Sequence, residues 1–233
     1  MMRRLAFPVL LGLVGAAILL SLGQWQLRRL AWKEALLADI EARITAAPVD
    51  LPPATALDPE RDRYLPVKVA GRTTTDEIRV LSGKKDVGGG YEIVTAFETE
   101  DGRRILLDRG FVPEPGRDAA RPPVALNGTG NLQWPVEADS YTPAPDPANR
   151  LWFARDVESM SENLKTEPVL VVLRTAEGDA QSIVPVPVDT SGIPNDHLNY
   201  AITWFSLAGV WAAMSGYLVW RTARTRDIGR GKA

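Results

Sequence analysis

The sequence predicts a membrane protein of the α+β class, with two transmembrane helices flanking an extracytoplasmic, mainly antiparallel β domain. Two 23-residue segments, 5–27 and 198–220, contain no charged residue, and a helix needs about 20 apolar residues to cross a bilayer core. Short apolar runs separated by glycines and prolines fill the chain between these segments. Residues 34–196 carry 17 basic and 28 acidic residues, a surplus of 11 negative charges. This acidic middle and the basic ends together indicate a domain held outside the membrane by two anchors.

Composition excludes several classes of function. The 233-residue chain has no cysteine and one histidine, His197. Disulfides, zinc fingers, thiol catalysis and multi-histidine metal sites are therefore ruled out. An acidic domain of this kind has no electrostatic footprint for nucleic acid, so nucleic acid is not expected as a partner.

The first apolar segment, 5–27, is predicted to be an uncleaved transmembrane helix. The alternative is a cleaved signal peptide, but the apolar run is long for one and no small-residue cleavage site follows it. The sequence from Gln24 to about Ala46 lacks proline and glycine. We therefore expect the helix to extend beyond the membrane, to about residue 46, into an extracytoplasmic domain that covers 28–197.

A β-rich core is expected at about 62–190, after a proline-rich linker at 48–59. Glycine-bounded runs with strand character predict seven strands and one helix. The predicted strands are 64–70, 77–81, 91–97, 104–112, a segment near 131–136, 168–174 and 182–188; the helix is 155–165. The run 92–107 predicts a hairpin that turns at Asp101-Gly102. Strands of this number and length indicate a small antiparallel barrel or sandwich.

The second apolar segment, 198–220, is predicted to be a transmembrane helix with Trp204 and Trp220 near its ends. The basic tail 221–233 follows and favours a cytoplasmic C-terminus. Two membrane crossings then place both termini in the cytoplasm and the central domain in the periplasm. Arg28, Arg29 and Lys33 lie on the outer side in this topology and oppose it locally. Their long side chains can reach the interface.

Candidate binding residues gather where each apolar helix would reach the outer surface. His197, Tyr200 and Trp204 share one helix face at i, i+3 and i+7 spacing, and Trp25 and Arg29 are placed one turn apart on the first helix. A haem needs an axial nitrogen, apolar or aromatic walls and cations for its propionates. These residue types match that chemistry. They match an ordinary polar residue beside interfacial aromatics equally well, and spacing alone favours this simpler interpretation.

Three stretches of the sequence resemble the surfeit-locus family of two-span assembly factors for haem-copper cytochrome oxidases. They are Gly23-Gln24-Trp25-Gln26-Leu27-Arg28-Arg29 with Trp32-Lys33, then Asp108-Arg109-Gly110-Phe111-Val112-Pro113, and finally 195–205, Asn-Asp-His-Leu-Asn-Tyr-Ala-Ile-Thr-Trp-Phe. Their order and spacing also match, from about residue 8 to about 222. Residues 114–150 match the family pattern only loosely.

The resemblance implies a non-enzymatic protein that binds haem a transiently and supplies it to cytochrome oxidase subunit I. It implies that His197 is the axial ligand of the haem iron, with Tyr200 and Trp204 beside it. Trp25 and Arg29, like Gly23 and Gln26, match family positions to which the resemblance assigns no individual role. For Arg109 and Gly110, a structural role in a strand turn or a domain contact is expected.

Two other functions are weighed against haem delivery. A haem-free membrane scaffold could hold oxidase subunits or the haem a synthase, with His197 in a structural role. A membrane-anchored hydrolase would need a nucleophile paired with a base, and no such set is visible around one histidine. Because the first apolar segment begins by residue 5, we expect a bacterial inner membrane rather than a mitochondrial one. The sequence does not distinguish a cytochrome c oxidase client from a quinol oxidase client.

Overall fold

The computed structural model describes residues 2–84, 87–177 and 183–224. The chain divides into two compact units. One unit combines the residues up to Asp39 with those from Ser191 onward, and we call it the helical unit. The other, Ile40–Thr190, is called the β domain.

Three α-helices and seven strands make up the described parts of the chain. The helices are α1 (Met2–Ile44), α2 (Val157–Leu164) and α3 (His197–Arg224). The strands are β1 (Val49–Asp50), β2 (Pro66–Lys84), β3 (Gly88–Thr99), β4 (Arg104–Pro113), β5 (Ala125–Gln133), β6 (Leu151–Trp152) and β7 (Leu170–Glu177).

Helices α1 and α3 are both long and apolar enough to cross a membrane. Mean hydropathy reaches 2.2 within Ala6–Ile44 and 1.4 within His197–Arg224. At about 1.5 Å per residue, α1 is about 65 Å long, roughly twice the thickness of a bilayer core. Helix α1 ends at Ile44, close to the end expected at about residue 46.

Five strands of the β domain close into a barrel in the order β2–β3–β4–β7–β5, because β5 pairs again with β2. Every contact in the ring is antiparallel except that between β4 and β7. Closure removes the exposed edges that an open sheet would present. The predicted membrane α+β fold, with two apolar terminal helices flanking a mainly antiparallel β domain, is confirmed.

The structure differs from the predicted strands at one point in β2. The segments 64–70 and 77–81 were expected to be separate strands. They form one strand instead, with a register irregularity between Thr73 and Glu77. The first part of β2 pairs with β5 and the later part with β3. The irregularity bends the strand so that it can serve two neighbours of the barrel.

Two further strand predictions need correction. The segment near 131–136 was placed too late, since β5 is Ala125–Gln133. Pro135 follows it and has no N–H to donate to a ladder, so the strand ends before it. For the predicted strand 182–188, residue 182 lies outside the described residues. The rest of that segment makes a single bridge, from Val184 to Phe111, rather than a strand.

Helix α2 confirms the predicted helix at 155–165. The Asp156 carboxylate accepts hydrogen bonds from the backbone N–H groups of Glu158 and Ser159, and so caps the first turn. The helix ends at Leu164, and the next residue, Lys165, has a left-handed backbone with φ 53°. Its buried face carries Met160 and Leu164.

Two hydrophobic layers stabilise the β domain. One cluster includes Phe97, Ile105 and Leu107, and a second, which includes α2 residues, contains Leu106 and Trp152. Because neighbouring residues of a strand point to opposite faces, β4 is buried on both faces. This explains why the sequence of β4 is a continuous apolar run rather than an alternating one.

Candidate functional site

Helices α1 and α3 pack against each other in antiparallel directions through small residues. Gly12 lies against Ser215, Gly15 against Trp211 and Gly23 against Phe205. A Cβ at Gly23 would come within 2.7 Å of the Phe205 ring. Glycine permits this close approach, as it does at many helix contacts in membranes.

A hydrogen bond and two buried alanines also lie at the contact between α1 and α3. The indole Nε1 of Trp211 donates a 3.0 Å hydrogen bond to the backbone oxygen of Gly12. On α3, Ala201 and Ala208 are buried. They follow His197 at four and eleven residues, so all three lie on the α3 face that meets α1.

His197 is the first residue of α3, and its ring contacts the first helix directly. Its Nδ1 lies 2.8 Å from Oε1 of Gln26, a side chain that is only 8% exposed although it lies in an apolar helix. The amide oxygen can only accept, so the Nδ1 of a neutral His197 ring donates the proton. The hydrogen bond therefore orients the imidazole and selects one tautomer.

In this tautomer, the lone pair of His197 lies on Nε2. Among the residues that the structure describes, Nε2 has no hydrogen-bond partner. Histidines that bind metals commonly donate their other ring N–H to an oxygen in this way, which orients the ring and makes the free nitrogen more basic. The donor set fits a haem iron: one imidazole nitrogen of a ring that a hydrogen bond orients.

The remaining predicted site residues lie around this pair with different exposures. Trp204 is half-buried on the packed side of α3, whereas Tyr200 and Trp25 are exposed. Arg29 is exposed, and its guanidinium carbon lies 4.4 Å from the centre of the Trp32 ring, a cation–π contact. Among the described residues, neither Trp25 nor Arg29 forms a hydrogen bond with His197. The first-helix side chain that forms one is that of Gln26.

Gln26 was assigned no individual role from the sequence. The aromatic and cationic side chains of α1 instead predicted Trp25 and Arg29 as site residues. The packed face of α1 is instead marked by its glycines. Gln26 follows Gly23 by three residues, the same interval that separates Gly12 from Gly15. This spacing is the signal that could have identified it.

A metal site built only from protein groups is absent from the described residues, where no group of three or more histidine, cysteine, aspartate or glutamate side chains could hold an ion. Any iron bound at His197 would therefore come with ligands of its own. A porphyrin supplies such ligands.

The β domain contains a second, buried polar group around Asp108. Its carboxylate is 3.4 Å from the guanidinium of Arg155, which is also 3.4 Å from Glu92 and 2.5 Å from Glu137. Burial raises the pKa of Asp108 to about 7, the nearby charge of Glu92 adds to this increase, and Arg155 opposes it. This cluster ties β3 and β4 to the segments on either side of β6.

The next two residues of the Asp-Arg-Gly motif have structural positions. Arg109 is an extra residue in the ladder, since Asp108 pairs with Val94 and Gly110 with Ile93. Its side chain is 1% exposed. Gly110 has φ 122°, and a Cβ there would collide with the carbonyl oxygen of Val184. The structural role expected for Gly110 is confirmed.

Known proteins of one family are similar to this chain over most of its length. A model of the SURF1 family matches residues 13–209. Surfeit locus protein 1 of Rattus norvegicus is 30% identical over 240 residues, which cover 90% of this chain and 73% of the relative. The Homo sapiens protein of the same name is 31% identical over 218 residues, covering 81% and 69%. The SURF1-like protein of Rickettsia felis is 30% identical over 214 residues, covering 84% and 89%.

Proposed function

The chain belongs to the SURF1 family, known as oxidase assembly factors, and from this premise we propose that it binds haem a and supplies it to subunit I of a haem-copper cytochrome oxidase. The family is one of assembly factors and not of catalysts, so we propose a carrier with no turnover of its own. The observation that carries the proposal is the hydrogen bond between His197 Nδ1 and Gln26 Oε1.

His197 is the residue that would hold the haem, through its free Nε2. A haem a group supplies the iron and the porphyrin ring, and the oxidase uses both for electron transfer and oxygen chemistry. In this protein the side chains would bind the haem and then release it. Gln26 accepts a hydrogen bond from Nδ1 and so orients the imidazole with Nε2 available, which favours binding.

A single protein ligand suits a protein that must give its cargo away. With one histidine in the whole sequence, this chain cannot supply two imidazoles, as an electron-transfer cytochrome can. His197 would therefore be the one imidazole by which this chain holds the haem, and a single point of attachment favours release.

Tyr200, Trp204 and Trp25 are proposed to provide the apolar surface for the porphyrin. Tyr200 and Trp25 have about half of their surface exposed, so their rings are available for a planar ligand to cover. Arg29 is proposed to face a propionate. Its contact with the Trp32 ring holds the guanidinium without neutralising its charge.

We place the protein in a bacterial inner membrane, with both termini in the cytoplasm and the β domain in the periplasm. Two apolar helices and the basic residues after Trp220 support this topology. Haem a synthase is a further candidate partner, because a carrier must receive its cargo at the membrane in which that cargo is made.

The test is co-purification of haem a. The full chain is expressed with a haem a biosynthetic pathway, purified in detergent, and its absorption spectrum is compared with those of His197→Ala and Asn199→Ala. Asn199 is exposed and two residues away on the same helix, so it is a matched control. We expect haem a with the wild type and Asn199→Ala, and its loss or a changed spectrum with His197→Ala.

A second candidate function is a haem-free scaffold for oxidase subunits. The acidic β domain favours it, since a large charged surface can dock a partner. The same preparations decide between the two functions. If the folded wild type carries no haem but retains subunit I in a pull-down, and His197→Ala retains it equally, the scaffold replaces the carrier.

A further inference from the structure

We propose that the β domain also binds a small phosphate- or carboxylate-bearing anion, in a cavity lined by four arginines. The cavity has a volume of about 270 Å³. We call it the arginine pocket. Its charged lining residues are Arg79, Arg117, Arg121, Arg150, Glu77 and Asp118. All of them belong to the β domain, so this site is separate from the His197 site of the helical unit.

The charge of the arginine pocket contrasts with that of its surroundings. Residues 34–196 carry a surplus of 11 negative charges. Within the pocket, four guanidinium groups meet two carboxylates, a formal surplus of two positive charges. An anion with two negative charges would neutralise it. Such a local reversal of charge is what an anion site requires.

Arg121 is buried, Arg79 is partly buried with 13% of its side chain exposed, and both are held by hydrogen bonds. The side chain of Arg121 is 3% exposed, and it donates to Glu77 at 2.9 Å and to the carbonyl oxygen of Gly116 at 2.6 Å. Arg79 donates to Asp118 at 2.6 Å. Burying an arginine removes it from water at a large cost. These contacts offset part of that cost and preorganise the positive charge.

The protein leaves several donors of these arginines unused. In the parts of the chain that the structure describes, the buried Nε atoms of Arg79, Arg117 and Arg121 have no hydrogen-bond partner. Arg117 approaches Glu114 and Asp118 only at 4.0 and 3.9 Å, which is too far for hydrogen bonds. The carboxylates that line the arginine pocket therefore do not accept hydrogen bonds from all of its guanidinium donors.

Arg117 and Arg150 are the arginines that would contact the ligand. Arg117 is partly exposed and lies over the Tyr91 ring at 5.4 Å. Arg150 is exposed, and no acceptor among the described residues binds its side chain. Its backbone is left-handed, with φ 53°, a conformation that few non-glycine residues adopt and that often marks functional positions.

Size and geometry define the chemical class of the ligand. Sites for drug-sized molecules have volumes of roughly 300–1,000 Å³, so this cavity suits an ion or a headgroup. The planar fork of a guanidinium matches two oxygens of a phosphate or carboxylate group. That group could belong to a soluble phosphate or to the headgroup of an anionic lipid.

The experiment measures binding to the full chain in detergent by titration calorimetry. Inorganic phosphate is the soluble probe, and short-chain phosphatidic acid is the lipid probe. Arg117→Gln and Arg150→Gln remove pocket charges that are not buried. Arg72→Gln is the matched control, because Arg72 is an exposed arginine of β2 outside the pocket. Circular dichroism verifies that each variant is folded.

We expect saturable binding of at least one probe, weakened about tenfold or more by each pocket variant and unchanged by Arg72→Gln. That factor corresponds to the loss of one charge-assisted hydrogen bond. Binding of both probes indicates a site for the phosphate group itself, and binding of phosphatidic acid alone indicates a lipid headgroup. The proposal is overturned if neither probe binds, or if Arg72→Gln weakens binding as much as the pocket variants do.

Discussion

Gln26 and His197 are 171 positions apart in sequence, yet their side chains form a 2.8 Å hydrogen bond between α1 and α3. Gln26 is the buried partner and His197 the partly exposed one. Because the amide oxygen of Gln26 accepts the hydrogen bond, the proton of the neutral ring lies on Nδ1. The hydrogen bond thus selects one tautomer of the single histidine of the chain.

Replacing Gln26 by alanine is expected to weaken haem a retention while leaving His197 in place. The ring would lose its orienting acceptor, and loss of such an outer partner typically lowers metal affinity by about 10- to 100-fold. The measurement is the haem a content of purified protein and the rate of its transfer to apomyoglobin. Gln26→Glu keeps an acceptor and should restore binding. Gln24→Ala, at an exposed neighbouring position, should have no effect; equal loss in Gln24→Ala would remove Gln26 from this role.

Adding a methyl group at Gly15 is expected to loosen the contact between α1 and α3. The new Cβ would collide with the indole of Trp211. That ring is held by its hydrogen bond to the Gly12 oxygen, so it cannot move away without losing the bond. Overpacking of this kind costs about 1–3 kcal/mol.

Thermal denaturation in detergent, followed by tryptophan fluorescence, measures the effect of Gly15→Ala. The matched control is Gly209→Ala, since a Cβ at Gly209 meets nothing within 4 Å. This control should unfold at the wild-type temperature or slightly above it, because alanine is the better helix former. Unfolding of both variants at the wild-type temperature would show that the Gly15 contact contributes no stability.

The stability of the β domain is expected to decrease as pH rises from about 4 to about 7. Burial raises the pKa of Asp108 to about 7, from 3.8 in an unstructured chain. The folded protein then holds this proton more tightly than the unfolded chain does. The stabilisation is complete below the lower pKa and is lost as pH passes through the higher one. The charged groups around Asp108 are Glu92 and Arg155.

Asp108→Asn should flatten this part of the profile of unfolding temperature against pH, measured at intervals from pH 4 to pH 8. Asp139→Asn is the control. Hydrogen bonds from the Tyr141 N–H and from Thr142 lower the pKa of Asp139, so its removal should leave the decrease between pH 4 and 7 in place. A profile unaffected by Asp108→Asn would assign the dependence to another group.

Leu106→Ala is expected to destabilise the β domain by about 2–5 kcal/mol, the usual cost of a large-to-small change in a packed core. Leu106 is fully buried in the cluster that includes α2 residues. Leu81→Ala makes the same chemical change at a side chain that is 48% exposed, and it should cost far less. Chemical denaturation of the full chain measures both. If both substitutions lowered the free energy of unfolding equally, burial of Leu106 in this cluster would not contribute to the stability of the β domain.

Local patterns in the sequence predicted much of the secondary structure. The apolar runs of α1 and α3 and the turn at Asp101-Gly102 each depend on residues a few positions apart. Such local patterns predict secondary structure without knowledge of the tertiary contacts. The predictions that needed correction, in β2 and β5, concern segments whose limits depend on distant partners: β2 continues because two different strands pair with it.

The sequence by itself determined the class of protein, the number of apolar helices, the acidic β domain and the single imidazole available to a ligand. These are properties of composition and of periodicity along one element. Only the tertiary structure decided that Gln26 is hydrogen-bonded to His197, that five strands close a barrel, and that four arginines gather in an acidic domain. Each of these depends on which faces of distant elements pack together. The residue pattern along a single segment does not specify which distant segment it will contact.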